Sequence, residues 1–205
     1  MLSAALAAVA VVAIAPRLPR LRQRYDSAAL APIDPAPDTP VDAELVRQLA
    51  AWVADGAGSG ATRLPWSRPA VPTPLACARI AAGTAPTVRH FGRQLAGYHQ
   101  LDTRSRLGGI LYRIGVQLRP LAWFLPRRAD EPWDDAWLTA ADEPRLPALA
   151  RWLPRRPTLI VVERPDGGLT PRVLAALSHA ARHGDQPVRL LILDTAAGPG
   201  LQPLG

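Results

Sequence analysis

The sequence has no lysine, no asparagine and only one cysteine. Each absence excludes something. Without lysine, no ammonium is available for the phosphate-cradling role that a P-loop gives to that residue. With Cys77 alone there is neither an internal disulfide nor a Cys-rich zinc site. A lone thiol near Pro72 and Pro74 reads as a small buried hydrophobe rather than a nucleophile. Arginine supplies all 24 basic side chains against 17 acids, for a formal charge of +7. This bias fits a coding sequence rich in G and C, and acids are interspersed from Asp26 onward. No phosphate-tracking stripe results, and no nucleic-acid partner is expected.

What is abundant is proline and glycine, 23 and 15 residues in clusters, within a chain of 205 residues that is 48% apolar. That is enough for one ordinary domain with an appendage. The appendage is at the front. MLSAALAAVAVVAIA carries no charged side chain, and PRLPRLRQR then brings Arg17, Arg20, Arg22 and Arg24. A secretory signal has its positive charge before the apolar run, not after it. As a helix the run would rise ~21 Å, against a hydrocarbon core of ~30 Å. Residues 1–16 are therefore expected to be a single-pass membrane anchor, with the C-terminal region kept cytoplasmic by the arginines. The alternative is a targeting or export segment that is cleaved, since Ala13-Ile14-Ala15 resembles a small-x-small site.

Residues 17–41 read as a basic juxtamembrane stretch and a Pro-rich linker, extended and solvated from Ser27 to Val41. Asp42 is a good cap for a helix with Leu45, Leu49, Trp52 and Val53 on one face, stopped by Gly56. DGAGSGATRL, residues 55–64, is one letter from a phosphate loop in its GSGAT core. Such a loop needs a strand before it and a helix after it. Here a helix precedes, Pro65, Pro69, Pro72 and Pro74 follow, and Ala61 holds the lysine position. The stretch is a helix-to-loop junction.

Residues 42–120 are expected to be mostly helical, with Val88, Phe91, Leu95 and Tyr98 in one helix and Leu107, Ile110, Leu111, Ile114 and Leu118 in another. Residues 121–205 read as an α/β half domain. Leu121 to Leu125 suits a buried strand, Pro144 to Trp152 a helix, and PTLIVVE (157–163) and VRLLILD (188–194) two strands covered on both faces. Between them Thr170 is a suitable N-cap with Pro171 at the first helical position, and Gly184 ends the helix. Strand, helix, strand predicts a parallel βαβ unit with a right-handed crossover.

The segment from WDDAWLTAADEP through RPTLIVVE to PVRLLILD resembles the nucleoside-triphosphatase domain of bacterial STAND-type signalling ATPases. There a tryptophan-containing segment precedes an R-P-x-L strand ending in an acid, and a P-V-R-L-L strand follows one helix later. The resemblance implies a three-layer, P-loop-like fold, here incomplete. It makes Glu163 the acid that would hold Mg²⁺ or orient water, and Asp194 the sensor position. TRSRL, residues 103–107, stands where G-K-S-R-L would, so Arg104 replaces the lysine and Ser105 keeps the metal-binding hydroxyl. Arginine is planar and bulkier than an ammonium, and no glycine-rich approach precedes it. A non-hydrolysing relic is the implied product, with no resident cofactor and no activity. An ATP-and-Mg-binding NTPase using Arg104 and Ser105 is the alternative, as is a structural envelope protein with no nucleotide site.

His179 and His183 share a helix face, but no third ligand stands at a fixed spacing, so a solvated face is expected and no metal site. Trp133, Trp137 and Trp152 are expected to staple the core rather than stack bases. PRRADEPWDD reads as a solvated mixed-charge loop. His99, Asp102 and Ser105 lie too close in sequence to be read as a triad. The expected partners are the membrane, through residues 1–16, and other proteins.

Overall fold

The two apolar runs near the C-terminus form the centre of a five-stranded sheet, seen in a computed structural model that describes residues 25–34, 40–55, 75–97, 132–163, 168–183, 186–198 and 200–204. The strands are β1 (Ala76–Ala81), β2 (Asp134–Leu138), β3 (Thr158–Glu163), β4 (Val188–Asp194) and β5 (Gln202–Leu204). Their order is β2-β3-β4-β1-β5. The pairs β2–β3, β3–β4 and β4–β1 are parallel, and β5 runs antiparallel to β1. The helices are α1 (Ala43–Ala54), α2 (Ala85–Leu95), the single turn α3 (Leu146–Leu149) and α4 (Leu169–His183).

Alternation along the central strands divides the core in two. Ile160, Val162, Leu190 and Ile192 face Val173, Leu177 and Ala180 of α4 and Leu149 of α3. Leu159, Val161, Leu191 and Leu193 face Leu45, Leu49 and Trp52 of α1 and Val88 and Phe91 of α2. Burial on both faces favours apolar residues at every position, which is why 159–162 and 190–193 read as continuous runs. The result is three layers, helices on each face of a mostly parallel sheet. Strands β3 and β4 pair in parallel with α4 between them in the chain, as the sequence predicts.

Helix α1 starts where Asp42 places it. The Asp42 carboxylate accepts from the Glu44 and Leu45 amides at 3.0 and 3.1 Å. At its other end, the fully buried Arg189 of β4 donates to the Asp55 carbonyl, pinning the helix C-terminus to the sheet. Burial lowers the guanidinium pKa of Arg189, while Asp55 pulls it the other way.

Several expectations change. The stretch 42–120 holds not only helices: Ala76–Ala81 is β1, and it pairs with β4. Its short, alanine-rich sequence ACARIA lacks the β-branched run that betrays a buried strand. EPWDDAWL contains β2, and Asp134 is buried rather than solvated, because Arg155 donates to both its oxygens at 2.7 and 3.0 Å. The helix expected from Pro144 to Trp152 is a 3-10 turn, Ala140–Arg145, followed by the single turn α3. Thr170 does not cap α4. The helix already begins at Leu169, and the Thr170 hydroxyl is buried without a hydrogen-bond partner among the described residues.

The linker is the largest change. Its first part is not a solvated tether, since Ala29 and Leu30 are fully buried. The Ala31 carbonyl accepts from the Trp137 amide at 2.8 Å, on the free edge of β2. The expected strand Leu121–Leu125, the helix around Leu107–Leu118, the GSGAT stretch and residues 1–16 lie outside the described residues. Among the described residues no helix is long and apolar enough to cross a membrane.

Candidate functional site at the carboxyl ends of the strands

In a mostly parallel sheet, ligand sites collect at the carboxyl ends of the strands. Glu163 is the last residue of β3. Its side chain turns to the α1/α2 face, the face of Leu159 and Val161. Register then supplies its neighbour. Trp137 on β2 pairs with Val161, so Glu163 stands diagonally next to the indole on the same face. The indole Nε1–H of Trp137 donates to Glu163 Oε2 at 2.6 Å, and the Arg89 guanidinium donates to the same oxygen at 3.2 Å. Arg89, from α2, also lies 4.4 Å from the centroid of the Trp137 ring. Carboxylate, indole and guanidinium form a closed triangle joining β3, β2 and α2. A carboxylate clasped in this way presents a neutralised pair rather than an open ligand position.

Asp194, at the end of β4, lies one register step beyond Glu163 and on the opposite face of the sheet. Its carboxylate is 3.5 Å from Arg79 Nε and accepts the Ala196 amide at 2.9 Å, closing a turn. Arg79 is 42% exposed, so this pair contributes little. The structure thus separates Glu163 and Asp194 and provides each with its own arginine. Arg104 and Ser105 lie outside the described residues.

The link from β1 to α2 is one 3-10 turn, Ala82–Thr84. The Thr84 hydroxyl bonds back to the Ala81 carbonyl, and Pro86 stands in the first helical turn. Such a turn is shorter than the glycine-rich loop that cradles phosphates.

Asp135 was not singled out by sequence. It sits on β2 facing α2, 3.8 Å from where a Cβ at Gly92 would lie. Burial raises its carboxyl pKa to about 7; its own backbone amide and Arg93 pull it down, and Asp134 adds to the rise. Residues 133–137 read WDDAW, and the two adjacent acids suggest a solvated segment, so no local pattern marked Asp135.

Elsewhere, the His179 and His183 rings stack on each other at 4.6 Å. No cluster of three or more metal-ligating side chains occurs among the described residues. Trp137 and Trp152 are buried in the core, closed to stacking by a base. The Cys77 thiol packs against the core, and burial raises its pKa, against nucleophilic use. The chain matches no protein-family model, no curated protein and no solved structure.

Proposed function

We propose that the protein is a membrane-anchored bacterial interaction or regulatory module built on a degenerate P-loop-like fold that does not hydrolyse nucleotide. Residues 1–16 serve as the anchor, the α/β region lies in the cytoplasm, and the partners are other proteins. One observation carries this reading. Glu163, the acid that the STAND-type resemblance would assign to Mg²⁺, spends its Oε2 on Trp137 and Arg89. The three-residue link between β1 and α2 supports the same reading, since it offers no glycine-rich cradle.

A second reading is an ATP-binding NTPase using Arg104 and Ser105. It rests on the resemblance alone, which puts TRSRL at the phosphate-loop position; β1 leads into α2 and is not the strand before that stretch. A thermal melt of the full chain in detergent, with and without Mg-ATP, separates the two. Ligand at a hundredfold excess over Kd would add about 2.7 kcal/mol, roughly 8 °C here. The expected shift up to millimolar ATP is none. A shift that disappears in Ser105→Ala and in Glu163→Ala would revive the nucleotide site instead.

A further inference from the structure

We propose that residues 25–34 form a releasable strap that couples the N-terminal segment of the chain to the Glu163 centre, with Trp137 as the shared joint.

The strap is built locally and then crosses the sheet edge. The Asp26 carboxylate accepts from the Ala28 and Ala29 amides at 3.0 and 3.3 Å, and the Asp26 carbonyl accepts from the Leu30 amide at 2.8 Å. This turn directs Leu30, fully buried, into the core on the α3/α4 face. The Ala31 carbonyl then takes the Trp137 amide at the edge of β2. Ile33 arrives on the opposite face, against α2. Its Cδ1 lies 2.8 Å from the place a Cβ would occupy at Gly92, so the methyl group fills the hollow that this glycine leaves. At the upstream end the Tyr25 hydroxyl donates to the Asp135 carbonyl at 3.1 Å, and the Arg155 guanidinium lies 5.8 Å over the Tyr25 ring. The strap therefore clasps both faces of one strand.

The direction of coupling follows from Trp137. Its main-chain N–H holds the strap and its indole N–H holds Glu163. Both groups belong to one residue on a five-residue edge strand. If the strap leaves, the Trp137 amide loses its partner, the β2 edge opens to water, and the indole is no longer fixed against Oε2. Glu163 and Arg89 are then released from their triangle. Ser27, Ala28, Pro32 and Asp34 are already exposed, so the strap is a thin element with solvent on its outer side, the kind that opens before a core does. The four arginines of residues 17–24 immediately precede Tyr25, so a force or a partner acting on that segment reaches the strap first. The inference rests on the strap's contacts and holds whether or not residues 1–16 enter a bilayer. Trp137 is here a positioning residue.

The test is hydrogen–deuterium exchange by NMR on the full chain, following the Leu30 amide, the Trp137 amide, the Trp137 indole N–H and, as reference, the Leu191 amide in β4. Two variants loosen the strap in different ways. Ile33→Ser removes its apolar anchor. Gly92→Ala places a methyl group against Ile33 while providing α2 with a better helix former, so faster exchange there would not come from a weaker helix. The expected result is an acceleration of about tenfold or more that is shared by Leu30, the Trp137 amide and the Trp137 indole, with Leu191 unchanged. Faster exchange at Leu30 with an unchanged indole would make the strap a passive cover and overturn the coupling. Acceleration at Leu191 by the same factor, or no acceleration at Leu30 in either variant, would show that no separable strap exists.

Discussion

At one margin of the sheet, β2 is covered along its outer side by residues 25–34, pinned through Trp137 and Tyr25. At the other margin, β5 stands as three exposed residues against β1, with Pro203 in the middle of the strand. Both arrangements solve the same problem, because an unpaired strand edge is a template for pairing with other chains. They solve it at different depth. Pro203 has no N–H to offer and β5 is too short to template anything, so that edge is protected by chemistry local to the strand. The β2 edge is protected by distant chain that enters both cores. A margin finished locally can be altered with little consequence; one finished by a long-range strap transmits any change to the residues beneath it.

Four substitutions sharpen this contrast. The largest effect is expected from Arg155→Ala. It leaves the Asp134 carboxylate buried without its guanidinium and removes the cation over Tyr25, for a loss of about 4 kcal/mol in urea unfolding. Because Arg155 is itself partly solvated, a loss under about 1 kcal/mol would mean that water replaces it and that the ion pair does not hold this margin. Leu30→Ala follows, at about 3 kcal/mol, the usual magnitude for truncating a fully buried leucine. A neutral result would return residues 25–34 to the status of a loose linker.

The third is a pH effect. Asp135 has its folded-state pKa raised to about 7 from an ordinary 3.8. A proton is therefore bound more tightly in the folded chain, and the contribution is full below the ordinary value and lost as pH rises through about 7. Asp142 acts in the opposite sense. Burial raises its pKa, but the hydrogen bonds from Thr139 and the Arg145 guanidinium outweigh burial and lower it, so its contribution is lost as pH falls into the acid range. Asp135→Asn should flatten the decline between the ordinary carboxylate range and neutrality, by about 2 kcal/mol once partial solvent access is allowed for. An unchanged stability profile across that interval would place the proton elsewhere. The smallest effect belongs to β5. Leu204→Ala, at a side chain 38% exposed, should change stability by no more than about 0.5 kcal/mol. A loss comparable to that of Leu30→Ala would erase the difference between the margins.

How much of this was legible depends on how far apart the partners lie in sequence. The run LIVV before Glu163 and the run LLIL before Asp194 identify strands by themselves, because burial on both faces favours consecutive apolar residues. Asp42 and the spacing of Leu45, Leu49, Trp52 and Val53 likewise fix α1 from local chemistry. Strand β1 was not legible, since ACARIA has no β-branched residue except Ile80 and includes Arg79. Nor was β2, where two consecutive acids suggest solvent until Arg155 is placed beside Asp134. Of the candidate site, the position of Glu163 at a strand end could be read, but its partners could not.

The sequence alone determined which segments are apolar enough to be central strands, where α1 begins, and that no lysine can serve a phosphate. Those properties are local: they follow from burial, capping and composition within a few residues. Only the tertiary structure decided that Trp137 and Arg89 would close on Glu163, that Asp194 would face away from it, and that residues 25–34 would bind the β2 edge. These are matters of strand register and edge pairing between residues far apart in sequence, 106 positions for Ala31 and Trp137 (137 minus 31), and no local pattern encodes them.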